Sequence, residues 1–348
     1  MVIEHSVPQT AQPKIDQLFN YQLIDQSRNS FQLKEGKKDM TNKEQVLVFS
    51  LTTCEELANK VCEELGVEKS PAICRRFADN EIFTRPNVDV RGKDCIVIHS
   101  TCNPVNDKLM ELLIFIDALK RGEAKTITAI IPYFGYVRQD RTIDFGDPIS
   151  AKLVANCLRE AGCNRVVSVD YHSGSMQPFF ENMEAVELYS SSVFADYYRK
   201  RLKTLKVKLE DVVIVSPDKG GLERAKHLSK DLGDLPIAVL NKYRPEPNKA
   251  VITNIKGESV VDKYCLMIDD IIDTGGTIIA ASKELLKNEA RGILICACHG
   301  IFSKNALAKL YRCGILDIAI SDSIPQEEDV VSIVSLSPII AKYINENF

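Results

Sequence analysis

Apolar and polar positions alternate regularly from residue 45 onward, and the alternation predicts strands followed by helices. Short apolar runs of strand length are each followed by a longer segment whose apolar residues recur at helical spacing. This order is typical of parallel sheets covered by helices on both faces. In the first half, the pattern predicts strands at 46–51, 95–100, 127–132 and 165–170 and helices at 54–65, 106–121 and 150–161.

A second set of elements follows a polar stretch at 182–198, so the chain is predicted to hold two similar α/β halves. The strands of this set are predicted at 212–216, 237–241, 264–268, 292–297 and 316–321, and the helices at 221–232, 277–288 and 305–312. We expect the first half to span 43–187 and the second 188–335, with a C-terminal helix in 336–348 completing the first half. Residues 1–42 are polar and aperiodic, which is typical of a loosely ordered extension.

Composition narrows the classes of function. The chain has 348 residues and a net charge of −4, so it carries no basic footprint for nucleic acid or an anionic membrane. No apolar run approaches the roughly 20 residues that span a bilayer. Eleven cysteines, several of them inside apolar segments, suit reduced thiols. The N-terminal segment has neither a signal-peptide pattern nor the acid-poor composition of a transit peptide, so we expect a cytoplasmic protein.

The stretch at 264–277, which reads YCLMIDDIIDTGGT, concentrates candidate chemistry. A predicted strand stops at Asp269 and Asp270, and a glycine-rich turn at 273–277 opens the next helix. Unpaired backbone N–H groups at a helix start can bind a phosphate. A ligand with vicinal hydroxyls and a phosphate, such as a ribose 5-phosphate, therefore fits this stretch. The alternative is an ordinary tight turn capped by Asp273 and Thr274.

Two other predicted strand ends carry groups that could hold a metal ion or a phosphate. Ligands in open parallel sheets bind at the carboxyl ends of strands. His172 follows the strand at 165–170 and could be a metal-adjacent ligand, a general base or a helix-capping residue. Asp218 precedes two glycines in the sequence SPDKGG, which could hold a metal ion or phosphate but is also an ordinary turn sequence.

Two further strand ends carry cations. Lys242 and Arg244 follow the strand at 237–241 on a predicted mobile loop, where they could stabilise charge on a transferred phosphoryl group or form a solvated pair. Arg138 and Gln139 follow an aromatic-rich strand end and could contact a phosphate and a purine edge.

These motifs, taken in order, resemble those of one family from about residue 45 to the C-terminus. The family is ribose-phosphate diphosphokinase, also called phosphoribosyl diphosphate (PRPP) synthetase. The motifs are FADNE at 77–81, IPYFGYVRQD at 131–140, SPDKGG at 216–221, NKYR at 241–244, IDDIIDTGGT at 268–277 and HGIFS at 299–303.

The resemblance implies two tandem phosphoribosyltransferase-like domains, each a mainly parallel sheet flanked by helices, with the ATP side first and the ribose 5-phosphate side second. It also implies Mg²⁺, and a homo-oligomer of dimers, a hexamer in the family's pattern, whose ATP site is shared between subunits. Carried over by motif, Arg138 and Gln139 bind ATP, with Phe77, Asp79 and Glu81 from the adjacent subunit. Asp269, Asp270, Asp273, Thr274, Gly275, Gly276 and Thr277 bind ribose 5-phosphate, His172 and Asp218 position Mg²⁺, and Lys242 and Arg244 are catalytic.

The activity implied by the resemblance is transfer of the diphosphoryl group of ATP to the C1 hydroxyl of ribose 5-phosphate, with release of AMP. The segment at 140–147 departs from the family pattern. Residues 140–147 are usually basic but here hold three acids and one cation, Arg141. This acidic segment favours a second interpretation, a non-catalytic regulatory subunit of a hetero-oligomer with paralogous partners. A third, a nucleobase phosphoribosyltransferase, would need one domain rather than two.

Overall fold

A computed structural model of the protein describes residues 45–172, 174–246, 249–326 and 331–348. Side chains are described throughout these ranges except at 175, 242–246 and 249–253. The predicted N-terminal extension at 1–42 lies outside the described residues. None of the helices within the described ranges has the length and apolar character needed to cross a bilayer.

The first half contains a five-stranded sheet in which every neighbouring pair of strands is parallel. Its strands, in the spatial order β1-β4-β5-β6-β7, are β1 (Val46–Ser50), β4 (Asp94–Ile98), β5 (Thr126–Ile131), β6 (Arg165–Val169) and β7 (Glu184–Leu188). The helices are α1 (Glu55–Leu65), α2 (Val105–Arg121) and α3 (Ser150–Ala161). A separate hairpin of β2 (Ala72–Arg76) and β3 (Ile82–Pro86) packs on α2.

The second half is built on a seven-stranded sheet with one antiparallel pair at its edge. Its strands, in the order β10-β9-β8-β11-β12-β13-β14, are β8 (Val212–Ser216), β9 (Ile237–Glu246), β10 (Lys249–Gly257), β11 (Tyr264–Ile272), β12 (Gly292–Gly300), β13 (Asp317–Ser321) and β14 (Ser332–Val334). The helices are α4 (Ser191–Thr204), α5 (Leu222–Asp231), α6 (Gly276–Lys287) and α7 (Ala306–Tyr311). A last helix, α8 (Ser337–Asn347), follows β14.

The sequence pattern treats the polar stretch at 182–198 as a connection between the two sets of elements. This prediction is wrong, because the stretch contains β7 and the first half of α4. Charged residues conceal the helical pattern of α4, since they occupy its solvent-facing positions. Phe194, Tyr198 and Leu202 recur four residues apart on its opposite face and are almost completely buried. The β7 strand alternates charged and apolar residues, and its side chains are mostly half-buried.

The strand predicted at 237–241 continues to Glu246, so the cations of the NKYR motif lie on a strand and the predicted loop there is wrong. An antiparallel partner, β10, extends the strand by supplying hydrogen bonds. Pro245 is compatible with this extension. The register with β8 ends at Val239, so beyond that point β9 pairs on one side, and proline is tolerated at such an edge.

The apolar core is continuous across the two halves. One buried cluster joins α1 and the parallel strands of the first sheet to α4, β8, β11 and β12. Helix α8 belongs to the same cluster through Ile340, Ala341 and Ile344, and it packs against α1 at the other end of the described sequence. The hydroxyl of Ser337 on α8 donates a hydrogen bond of 2.5 Å to Glu64 on α1.

Candidate active site

The carboxyl ends of three strands, one from the first sheet and two from the second, bring the predicted acidic and histidine residues together. Strand β6 ends at Val169, just before His172, and β8 ends at Ser216, just before the loop that carries Asp218. The third strand is β11, which continues through Asp269 and Asp270 to Ile272 because its last residues pair with β12. The acid pair therefore lies within the last residues of β11. The sequence pattern predicts that the strand ends before the pair, and this prediction is wrong.

A direct hydrogen bond joins the two predicted substrate sides. His172 Nδ1 lies 2.6 Å from Asp270 Oδ2, across the boundary between the two halves. This bond to a carboxylate raises the pKa of the His172 imidazole above its usual value. Because Nδ1 faces Asp270, the other ring nitrogen, Nε2, is the atom of His172 that could bind a further group.

The two neighbouring carboxylates have opposite ionisation tendencies. Burial, followed by the charge of its neighbour, raises the pKa of Asp269 well above the ordinary carboxyl range. Burial acts in the same direction on Asp270, but the hydrogen bond from His172 and the charge of Arg224 outweigh it and lower the pKa of Asp270. Asp270 is therefore firmly ionised, whereas Asp269 holds a proton more readily. A hydrogen-bond acceptor beside a possible donor is suited to binding two adjacent hydroxyl groups.

The glycine-rich turn opens a helix as predicted. Gly275 adopts a left-handed backbone conformation with φ of 75°, and α6 begins at Gly276. The first helical hydrogen bond runs from Ile279 N to Gly275 O at 2.9 Å. A helix N-terminus concentrates backbone N–H donors and the positive end of the helix dipole, so this turn is suited to an anion.

Arg138, predicted on the ATP side, reaches the glycine-rich turn that is predicted to bind phosphate. Its Nη1 atom lies 2.7 Å from Asp273 Oδ2, with the arginine half exposed and the aspartate mostly buried. Burial would raise the pKa of Asp273, but a hydrogen bond with Ser303 and the contact with Arg138 lower it. The segments predicted to bind the two substrates therefore meet at two points, Arg138 with Asp273 and His172 with Asp270.

Asp218 shapes its own loop. Its Oδ1 atom accepts hydrogen bonds from Gly220 N at 2.9 Å and Gly221 N at 3.2 Å. The same residue is close enough for its charge to raise the pKa of Asp269. The loop is thus both a capped turn and a neighbour of the acid pair, so the two interpretations of SPDKGG are compatible.

The donor set around the acid pair fits a divalent cation. The carboxylates of Asp218, Asp269 and Asp270 outnumber the cations Arg224 and His172, and carboxylate oxygen is what Mg²⁺ prefers. Within the described ranges, no three His, Cys, Asp or Glu side chains form a cluster that could hold a metal ion without further ligands. Mg²⁺ usually binds through one or two protein groups together with substrate phosphates.

The structure places the residues of FADNE away from these contacts, on the turn between β2 and β3. Phe77 is half exposed and packs edge-to-face on Phe83 at 5.9 Å, with the Arg75 guanidinium 4.5 Å from the Phe83 ring. Asp79 accepts a hydrogen bond from Glu81 N at 3.1 Å. The contacts found for Phe77, Asp79 and Glu81 thus lie within the hairpin.

Three other predicted site residues have different outcomes. Gln139 accepts a hydrogen bond from the Ser150 hydroxyl at the start of α3, which fixes its side-chain oxygen. Lys242 and Arg244 lie on β9, where Lys242 is opposite Ile252 of β10. Their side chains lie outside the described part of the chain, so their catalytic roles stay predictions.

The acidic segment at 140–147 is folded into a turn by one of its own acids. Asp147 Oδ2 accepts hydrogen bonds from Ile143 N at 3.1 Å and Asp144 N at 2.8 Å, which lower the pKa of Asp147. The charge of Asp140 contributes to raising the pKa of His172. Asp147 therefore accepts hydrogen bonds within the segment, whereas the charge of Asp140 acts on His172.

Arg224 on α5 is a site residue that the sequence pattern missed. Its side chain is 11% exposed and its Nη1 atom lies 3.7 Å from Asp270 Oδ1. A signal was present, because Arg224 is four residues before the fully buried Leu228 and next to the buried Ala225, on the inward face of the helix. A cation on that face is costly unless it is paired with buried acids.

Two sheets with helices on their faces define a double α/β protein with the phosphoribosyltransferase fold. Two family models match the chain. Residues 46–162 match the N-terminal domain of ribose phosphate pyrophosphokinase, and residues 192–312 match the phosphoribosyl transferase domain. The two matches follow the two sheets in order, and together they span more than half of the chain.

Full-length relatives and a solved structure agree with these matches. A ribose-phosphate pyrophosphokinase of Mycoplasma genitalium is 44% identical over 83% of this chain and 86% of its own. One of Fusobacterium nucleatum is 41% identical over 88% of this chain and 96% of its own. The crystal structure of phosphoribosylpyrophosphate synthetase from Mycobacterium smegmatis has a TM-score of 0.77 and 36% identity, and covers 86% of this chain and 98% of its own. The chain belongs to the ribose-phosphate pyrophosphokinase family.

Proposed function

We propose that the protein transfers the diphosphoryl group of ATP to the C1 hydroxyl of ribose 5-phosphate, forming PRPP and AMP for nucleotide biosynthesis. The observation that carries this proposal is the junction of the two sides of the site. The acid pair and the glycine-rich turn lie on the second half, and both are in direct contact with residues of the first half. A transfer between two bound substrates needs this proximity.

On the acceptor side, the second half (188–335) binds ribose 5-phosphate. Asp269 and Asp270 hold the ribose hydroxyls, and the N–H groups at 274–277 hold the 5-phosphate with Asp273, Thr274, Gly275, Gly276 and Thr277. On the donor side, the first half (43–187, with α8) binds ATP through Arg138 and Gln139. The packing of α8 on α1 supports assigning that helix to the first half.

In the reaction, the C1 hydroxyl attacks the β-phosphorus of ATP in line and AMP leaves. Phosphoryl transfer of this kind depends on positioning and on stabilising negative charge, with little covalent help from the protein. Lys242 and Arg244 supply that stabilisation as the charge develops. His172 and Asp218 would hold Mg²⁺ on the ATP phosphates, where it neutralises their charge.

We also propose that the protein is cytoplasmic and works as a homo-oligomer of dimers, consistent with a hexamer. The hairpin supports site sharing between subunits, because Phe77, Asp79 and Glu81 are exposed and their ring contact and side-chain hydrogen bond lie within the hairpin. In an oligomer, this turn would complete the ATP site of the adjacent subunit.

The test is to incubate the purified protein with ATP, Mg²⁺ and ribose 5-phosphate and to measure AMP and PRPP. We expect both products in equal amounts. The acidic segment at 140–147 gives a reason to add a second arm with a paralogous subunit. AMP formed only after that subunit is added would replace the proposal with the regulatory-subunit interpretation.

A further inference from the structure

A single buried arginine contacts three segments that form the site. Arg224 lies on α5, just after the loop that carries Asp218. Its Nη1 atom is 3.9 Å from Asp269 Oδ1 and 3.7 Å from Asp270 Oδ1. Its Nη2 atom donates a long hydrogen bond of 3.4 Å to Tyr171 O, the carbonyl just before His172. One guanidinium therefore links the acid pair of β11 to the end of β6.

This contact also constrains the glycine loop. A Cβ atom at Gly221 would lie 2.9 Å from the Ser216 hydroxyl and 3.6 Å from Arg224 Nη1. Gly221 therefore lies close to the guanidinium, and glycine at this position leaves room for the Ser216 hydroxyl. Arg224 thus touches the ends of β6 and β11 and the loop that follows β8.

Successive residues of a strand point to opposite faces, yet both carboxylates of the acid pair lie within 4 Å of the same nitrogen. Two buried carboxylates so close to each other repel, and their arrangement needs a buried cation. His172 contacts Asp270 from the exposed side, whereas Arg224 contacts both acids from the interior. Of these two cations, the arginine is the one that spans the whole pair.

We propose that Arg224 is a positioning residue that aligns the ribose-binding acid pair with the strand end that carries His172. The inference rests on the proposed function, since the alignment matters because the acceptor hydroxyl must meet the β-phosphorus of ATP. Arg224 acts through its contacts with the two acids and with the Tyr171 carbonyl. Its planar fork is essential to this role, because a lysine ammonium is a point charge that cannot contact the acids and the Tyr171 carbonyl in the same way.

The test compares Arg224→Lys and Arg224→Gln with the wild-type protein. For Arg224→Lys, we expect KM for ribose 5-phosphate to rise about tenfold while KM for ATP changes less than about twofold, since lost hydrogen bonds to charged groups affect the acid pair first. For Arg224→Gln, we expect kcat/KM for ribose 5-phosphate to fall at least about a hundredfold, because the pair loses its interior cation.

The matched control is Arg201→Lys. Arg201 on α4 also pairs with a buried acid of the second half, since its Nε atom lies 2.7 Å from Asp317 Oδ1. This pair lies apart from the acid pair, so we expect both KM values of Arg201→Lys to equal those of the wild type. Thermal unfolding of all three variants reports whether each remains folded.

Several outcomes would overturn the proposal. One is a wild-type KM for ribose 5-phosphate in Arg224→Lys, and another is an equal rise in both KM values. A third is global unfolding of both Arg224 variants while Arg201→Lys stays folded, because Arg224 would then serve stability alone. If the wild-type protein itself releases no AMP, the proposed function fails. Calorimetric binding of ribose 5-phosphate to wild type and Arg224→Lys then tests the alignment separately.

Discussion

Asp269 and Asp270 are chemically equivalent in the sequence but not in the folded protein. His172 and Arg224 both act on Asp270 and lower its pKa, whereas burial and the adjacent charge raise that of Asp269. The sequence alone predicts the two carboxylates and their place at a strand end. It cannot predict which one is ionised, because the deciding partners are about 46 and 98 residues away.

Lys242→Ala tests the catalytic role predicted for the NKYR motif. We expect turnover to fall by at least about a hundredfold, because one preorganised cation is lost where charge develops in the transition state. Affinity for ribose 5-phosphate should change little. Steady-state kinetics measure both quantities, with Lys256→Ala on the neighbouring strand β10 as the control. Near-normal turnover in Lys242→Ala would rule out the role.

His99 is expected to make stability depend on pH. It is fully buried, and burial lowers its pKa to about 4. Nε2 faces the carbonyl of Lys108, which can only accept, so this nitrogen carries the proton of a neutral ring and Nδ1 accepts from the Thr53 hydroxyl. Below pH 6.5 the unfolded state binds a proton that the folded state does not, so stability falls as pH falls toward 4.

The predicted size of this effect is about 3 kcal/mol between pH 7 and pH 4. His99→Gln should lose that part of the pH dependence while keeping the part due to carboxyl groups. Denaturant unfolding of both proteins at pH 7, 5.5 and 4 measures the difference. Parallel curves for the two proteins would show that His99 does not titrate as described.

At the scale of elements, the periodic pattern predicts most of the parallel sheet and helix framework. It is weakest where tertiary pairing decides the structure. Strand β10 and the β2–β3 hairpin are stabilised by antiparallel partners and not by a strong pattern of their own. Helix α4 was missed because charged residues cover its exposed face. The strand errors concern the partners of an element, whereas the error at α4 comes from its own charged residues.

The turn before α6 provides a test at the same scale. Gly275 has φ of 75°, and an added Cβ would touch the Leu310 side chain at 3.4 to 3.6 Å. Gly275→Ala should therefore cost about 1 kcal/mol of stability or somewhat more, and it should weaken ribose 5-phosphate binding because the phosphate-binding N–H groups shift. Thermal unfolding and calorimetry measure the two effects.

Gly233→Ala is the matched control for this substitution. Gly233 also has a positive φ, of 99°, but a Cβ there would meet nothing within 4 Å. It should carry a similar backbone cost and leave ribose 5-phosphate binding unchanged. Equal affinities in the two variants would mean that the turn at 274–277 does not hold the phosphate.

At the scale of the whole molecule, the fold class predicted from the ordered motifs is confirmed by the family matches and by the Mycobacterium smegmatis structure. The quaternary structure stays a prediction. The contacts of Phe77, Asp79 and Glu81 in a single chain describe an exposed hairpin, and no feature of a monomer can place a neighbouring subunit against it. The assembly of subunits is therefore a prediction both from the sequence and from the structure of one chain.

Mixing two impaired variants tests whether sites are shared between subunits. One variant carries Phe77→Ala with Asp79→Ala, and the other carries Asp269→Asn with Asp270→Asn. If each site takes its hairpin from the adjacent subunit, randomly mixed oligomers should regain up to about a quarter of wild-type activity. The AMP assay measures the gain after subunit exchange. Mixtures that stay as inactive as the separate variants would show that each chain builds its site alone.

The packing of α8 against α1 has a consequence for how this architecture can be divided. A helix from the far end of the sequence fills the apolar face of the first, and the cluster they share continues into strands of both sheets. Neither half could be cut out as an independent module without exposing that surface to water. A chain that contains only one half, or a chimera that exchanges halves between relatives, would fold well only if the residues of this shared apolar surface were changed as well.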